Sequence, residues 1–175
     1  MSRCVIRLSA IMVLLTFQAC VMRVPQAEAM LNQFQKLVGS EEEARQAVWL
    51  ASFNGQGAVL SPYVADGYTV FANDEGDAVA FDGWVIRSVL GFGKAASLSV
   101  SDEGWDRSSV SNATRFTATC SEWQKEGFSE GYEWRQICGI NGHETVIRID
   151  GTGSITSIRQ AFGGDLGTLE LNLRR

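Results

Sequence analysis

Asn-Gly and Asp-Gly steps, among them Asn54-Gly55, Asp66-Gly67, Asp82-Gly83 and Asn141-Gly142, punctuate a chain made mostly of short β-rich runs. Asn, Asp and Gly adopt positive φ at low cost, which is what the tight turns of antiparallel hairpins require. The runs fall at residues 48–53, 58–64, 68–72, 78–81, 84–90, 96–100, 115–120, 132–138, 144–149, 154–162 and 168–173. Parallel neighbours need helical crossovers between strands, and the connecting segments carry no helical pattern. The expected fold is mainly β, an antiparallel meander forming a barrel or half-barrel, with short N-terminal helices packed against it.

Alternation within single runs supports this. In 144–149, Thr145, Ile147 and Ile149 face one side and Glu144, Val146 and Arg148 the other; in 168–173, Leu169, Leu171 and Leu173 share a side. The helical expectation rests on residues 30–38, where Met30 or Leu31, Phe34, and Leu37 or Val38 form one stripe that Gly39 ends. Ser40 and Glu43 then have capping-box spacing, with Glu41 and Glu42 at the positive end of a second short helix.

The N-terminus reads as an export signal: Arg3 and Arg7 precede an apolar run that ends near Cys20, too short to span a bilayer stably. Two cleavage sites compete. Phe17-Gln18-Ala19-Cys20 resembles a bacterial lipobox, giving a signal over 1–19 and a lipid attached at Cys20. Ala27-Glu28-Ala29 is a small-x-small site giving a signal over 1–29. The expected organisation is signal, an anchor segment with short helices over 20–47, and a β-barrel-like domain over 48–175. What remains after cleavage suffices for one domain with a real core.

The chain carries 15 basic and 20 acidic side chains; losing Arg3 and Arg7 leaves 13 against 20, a net charge of −7 from Cys20 onward. An acidic surface without a basic cluster repels a phosphate backbone and anionic lipid, so nucleic acid is not expected as a partner. Membrane contact is expected through the anchor on Cys20. Cys120 and Cys138 form an even pair in an exported chain, and a disulfide between them would contribute roughly 3 kcal/mol. A metal site is not expected, because His143 is the single histidine and no CxxC spacing exists. No cofactor motif is present: Gly91-Phe92-Gly93 and Gly151-Thr152-Gly153 lack the strand-loop-helix context of a phosphate cradle.

Asp102, Glu103, Asp106, Glu122, Glu126 and Glu130 have no spacing that fixes two of them across a glycosidic bond, and they read as solvated loops. No serine stands in Gly-x-Ser-x-Gly, so the chain nominates no catalyst. Of the five tryptophans, Trp105 and Trp123 lie in polar surroundings and are the candidates for exposed sugar-stacking platforms.

Two blocks carry a family resemblance. One runs from Gly57-Ala58-Val59-Leu60 through Asp82-Gly83-Trp84-Val85-Ile86-Arg87-Ser88-Val89-Leu90-Gly91. The other runs from Cys138 through Gly153-Ser154-Ile155-Thr156-Ser157-Ile158-Arg159-Gln160-Ala161-Phe162-Gly163 to Leu169-Glu170-Leu171. Their order resembles the group 4 capsule polysaccharide lipoprotein family. Trp84 stands where that family is often polar or basic, and Phe162 where relatives commonly have tryptophan. The resemblance implies an exported, often lipidated, predominantly β protein without assigned enzyme activity, encoded with capsule and exopolysaccharide machinery. It points to Arg87, Gly91, Arg159 and Gln160 as a ligand or partner surface; turn geometry for Gly91 and cross-strand ion pairs for the arginines are the structural alternatives.

The expected function is therefore that of a non-enzymatic envelope lipoprotein, on the periplasmic face and anchored to the outer membrane, or soluble in the periplasm if cleaved after Ala29. It would assist capsule or exopolysaccharide assembly or export by contacting the polysaccharide or an export-machinery protein. A lipid- or lipoprotein-handling periplasmic chaperone would instead need a continuous apolar cavity, and a polysaccharide-modifying enzyme a cleft with convergent carboxylates.

Overall fold

A computed structural model describes residues 47–93, 96–112 and 114–174. The signal, Cys20 and the two expected helices lie outside these residues, and the described chain contains no helix. Thirteen strands follow one another: β1 (Trp49–Phe53), β2 (Gln56–Ala65), β3 (Tyr68–Ala72), β4 (Ala78–Phe81), β5 (Ile86–Gly91), β6 (Ala96–Glu103) and β7 (Asp106–Ser111). The rest are β8 (Thr114–Thr119), β9 (Gln124–Phe128), β10 (Gly131–Cys138), β11 (His143–Asp150), β12 (Ile155–Ala161) and β13 (Thr168–Leu173).

All belong to one sheet in the order β8-β7-β6-β5-β4-β3-β2-β1-β13-β12-β11-β10-β9, antiparallel at every step. First and last strands pair at its middle, from Trp49↔Leu173 to Phe53↔Leu169. The sheet curls into a half-barrel whose ends meet where the chain passes from β8 to β9. There Cys120 N–H donates to Trp105 O at 2.8 Å on the β7 side. On the β10 side, Ser121 N–H donates to Ile137 O at 2.8 Å and Gly139 N–H to Thr119 O at 2.9 Å. Residues 114–128 thus follow one bent path, paired first with β7 and then with β10.

Both Asn54-Gly55 and Asp66-Gly67 have positive φ at each position (49° and 79°, 50° and 81°), as a two-residue hairpin turn demands. Asp82-Gly83 works differently: the Asp82 carboxylate accepts the N–H groups of Trp84 and Val85 at 2.8 and 2.7 Å, a side-chain mimic of a turn. Asn141 does not take positive φ, and the β10–β11 loop turns instead through Gly139 and Gly142.

The core fills the concave side. Trp49, Ala51 and Phe53 from β1 meet Leu169 and Leu171 from β13, Ile158 from β12, Ile147 and Ile149 from β11, and Leu60, Phe71, Val79, Phe81 and Val89 from the other arm. Phe53 makes edge contacts with Phe92 and Phe162 at ring separations of 6.0 and 5.9 Å. Burying each such Leu, Ile or Phe contributes about 1.5–3 kcal/mol, so this shared interior is what holds the curl.

Candidate functional site

The two arms of the sheet are also tied by polar side chains, and these converge where its ends meet. Arg107 enters from β7 and is 8% exposed. Its Nε donates to Asp102 Oδ1 at 2.9 Å, Nη2 to Gln136 Oε1 at 2.9 Å and Nη1 to Thr145 Oγ1 at 3.4 Å. Gln136 Nε2 in turn donates to Ser121 O at 2.8 Å. One guanidinium thereby joins β6 and β7 to β10 and β11. Beside it, Cys120 and Cys138 form a disulfide with Cα atoms 3.9 Å apart, and Arg107 Nη1 lies 3.9 Å from Cys138 Sγ.

Asp102 is shared. Its second oxygen accepts Arg87 Nη2 at 3.0 Å, while Arg87 Nε donates to Asp82 at 2.5 Å. Burial works to raise the Asp102 pKa, but the hydrogen bond and charge of Arg107, joined by Arg87, outweigh it and hold the carboxyl below the usual range. For Arg87, burial pulls downward and the two aspartates outweigh it, keeping the guanidinium above its ordinary value. Arg87 is the extra residue of a β-bulge: Ala80 faces Ser88 and Phe81 faces Ile86, so Arg87 has no opposite number on β4.

The bulge leaves Ile86 backbone groups to be satisfied by Gln160. Ile86 N–H donates to Gln160 Oε1 at 2.8 Å, and Gln160 Nε2 donates to Ile86 O at 3.2 Å, across the core from β12. Gln160, expected on a ligand surface, is 1% exposed. A buried carboxamide needs partners for both its ends, and the backbone N–H and C=O of Ile86 supply them.

The remaining expected residues are dispersed. Gly91 has φ of +81°, and a Cβ there would stand 2.8 Å from both Asp77 Cα and Gly76 O, so the β3–β4 turn occupies its open side. Arg159 lies on the convex face, half exposed, bonded to Glu144 at 3.3 Å and near Glu170 at 3.6 Å. Trp123 packs on Trp84 at a ring separation of 4.8 Å, with Trp134 5.5 Å from Trp84. Trp105 stands at the β6–β7 hairpin tip, 56% exposed. Arg87, Gly91, Arg159, Gln160, Trp105 and Trp123 therefore do not form one surface: Gln160 is interior, Arg159 is convex and Trp105 is at a tip.

On the convex face of β9–β13, charges interlock. Glu133 accepts Arg135 at 2.6 Å and Arg148 at 3.1 Å; Arg135 also pairs with Glu144. The Arg135 bond leads in lowering the Glu133 pKa, and burial opposes it. A depression of about 370 Å³ adjoins this ladder, lined by Glu126, Gly127, Phe128, Glu133 and Arg148.

Sequence reasoning missed the Asp102–Arg107 pair, although a signal existed. Opposite charges flank Gly104-Trp105 symmetrically, and a two-residue hairpin turn there makes Asp102 and Arg107 direct cross-strand partners, as observed.

No family model matches the chain, and no curated protein matches it. Among solved structures it is similar to the hypothetical lipoprotein YmcC from Escherichia coli (K12), at 11% identity and a TM-score of 0.52. That likeness covers 85% of this chain and 93% of the other. At such low identity it shows a shared fold: an antiparallel β half-barrel related to that of a hypothetical bacterial lipoprotein.

Proposed function

We propose that the chain is an envelope lipoprotein without a catalytic role, attached through Cys20 to the periplasmic side of the outer membrane. There it assists assembly or export of capsule or exopolysaccharide. The observation that carries this reading is the half-barrel itself, which resembles that of a hypothetical bacterial lipoprotein over most of both chains and follows an export-type N-terminus ending at Cys20. The Cys120–Cys138 disulfide fits an oxidising compartment. The resemblance of the 57–91 and 138–171 blocks to the group 4 capsule polysaccharide lipoprotein family supports the polymer assignment.

The interior is consistent with a scaffold. Its strongest charges, Arg87, Asp102 and Arg107, are spent on one another and on joining strands. Mass spectrometry of the mature N-terminus after expression in a Gram-negative host tests the anchor: acylated Cys20 supports it, and a chain beginning at Met30 overturns it. Polymer secretion measured in a deletion strain, complemented by wild type or by Cys20→Ala, tests the role; unchanged secretion in the deletion strain removes it.

A further inference from the structure

Strand β9 ends the sheet and is exposed at all five positions. It pairs with β10 from Phe128↔Gly131 to Gln124↔Arg135 around a two-residue turn. That turn makes Phe128, Glu126 and Gln124 the residues hydrogen-bonded to β10 and leaves the N–H and C=O groups of Lys125 and Gly127 aimed away from it. An open edge of this kind pairs with another extended chain unless a charge, a proline or a cover protects it. The guarding lysine is withdrawn here, since Lys125 Nζ lies 3.7 Å from the Tyr132 ring centroid. Gly127 has no side chain and nothing within 4 Å of its Cβ position.

The flanking side chains specify the occupant. Glu126 stands directly opposite Glu133, a like-charge pairing that costs stability. Glu133 is bonded by both Arg135 and Arg148, whereas Glu126 makes no direct ion pair or hydrogen bond through its side chain among the described residues and feels the Arg135 charge only at longer range. Both line the depression with exposed Phe128. On an added strand, the residue facing Glu126 falls at a non-hydrogen-bonded position, where opposing side chains approach most closely.

We infer that the β9 edge accepts an extended segment of a partner protein by strand addition, with a lysine or arginine of that segment against Glu126 and an apolar residue over Phe128. Net charge favours a basic partner, since a second copy of this chain, with 13 basic against 20 acidic side chains from Cys20 onward, would bring like-charged surfaces together. The edge serves this purpose whether or not the protein acts in polysaccharide export.

The test uses the protein purified after export, isotope-labelled, and titrated with acetyl-Thr-Val-Thr-Lys-Thr-Val-Thr-amide or its counterpart with a central glutamate. The lysine peptide is expected to bind and shift the Lys125 and Gly127 amide signals. Glu126→Lys, an exposed change compatible with the fold, should weaken it at least about tenfold and reverse the preference in favour of the glutamate peptide. Equal binding of both peptides, shifts confined to other strands, or no binding at about 1 mM overturns the proposal. A dimer of the protein alone that Gly127→Pro disperses also overturns it, because a second copy then owns the edge.

Discussion

The side-chain amide of Gln160 holds the backbone N–H and C=O of Ile86, 74 residues away, by two hydrogen bonds of 2.8 and 3.2 Å. Ile86 and Gln160 are both essentially inaccessible, so neither water nor a neighbouring strand replaces that clamp. Gln160→Leu keeps the volume and leaves a buried N–H and C=O unpaired, each costing about 1–3 kcal/mol. The expected loss is about 2–4 kcal/mol in urea denaturation. A loss below about 0.5 kcal/mol would mean that β5 shifts to satisfy itself.

Arg107 and Asp102 form an asymmetric pair, because the Arg107 side chain is 10% exposed and that of Asp102 is 30% exposed. Removing the aspartate charge strands a buried cation, whereas removing the arginine leaves Asp102 partly hydrated and still bonded to Arg87. Asp102→Asn is expected to cost about 2–3 kcal/mol and Arg107→Met about 1–2 kcal/mol, read from denaturation midpoints at constant slope. The reverse order would place the weight on Gln136 and Thr145.

Acid exposes the same pair. Asp102 and Glu133 are both held below their ordinary pKa, so their contribution is fully present above the carboxylate range near pH 4. As pH falls through the lower folded-state values, the unfolded chain takes up protons first and stability is lost. Denaturation between pH 5 and pH 2 should show this decline, flatter in Asp102→Asn; an identical slope in the variant would detach the decline from Asp102.

What the sequence disclosed follows from which side chains face inward. Strands β11 and β13 were legible because Thr145, Ile147, Ile149, Leu169 and Leu171 recur at every second position and all five are buried, although Val146, expected on the solvated face of β11, is buried as well. Strands β7 and β9 were not, and both read as solvated loop. The inward residues of β7 are Arg107 and Ser109, which invert the apolar signal, and β9 has no buried residue at all. The polar cluster shares that cause. A buried Arg, Gln or Thr announces itself only through its partners, and Arg107, Gln136 and Thr145 come together across a sheet closure that pairwise spacing does not encode. Gln160 was visible as a residue of interest, but its partner is a backbone group exposed by a bulge.

The Cys120–Cys138 disulfide lies at that closure, on the passage between the strand paired with β7 and the strand paired with β10. Its sequence separation is 18 residues, so Cys120→Ser with Cys138→Ser should cost roughly 3 kcal/mol, chiefly by freeing the unfolded chain. Dithiothreitol should lower the wild-type midpoint by a similar amount and leave the double variant unmoved. Sensitivity of the double variant to reductant would trace the effect to another cysteine.

Trp105 and Trp123 separate two uses of an aromatic ring. Trp123 is half-buried against Trp84, which also meets Trp134, so its truncation removes apolar contact and a favourable ring pairing. Trp105 stands exposed at a hairpin tip, where its backbone oxygen accepts the N–H of Cys120. Trp123→Ala should therefore destabilise by about 1–3 kcal/mol, whereas Trp105→Ala should stay within about 0.5 kcal/mol. Intrinsic fluorescence adds a second readout: the exposed indole of Trp105 is the one an aqueous quencher reaches first, so Trp105→Ala should remove most of the readily quenched emission. Quenching unchanged in Trp105→Ala and lost in Trp123→Ala would place the accessible ring in the cluster, making that cluster the surface to test for sugar contact.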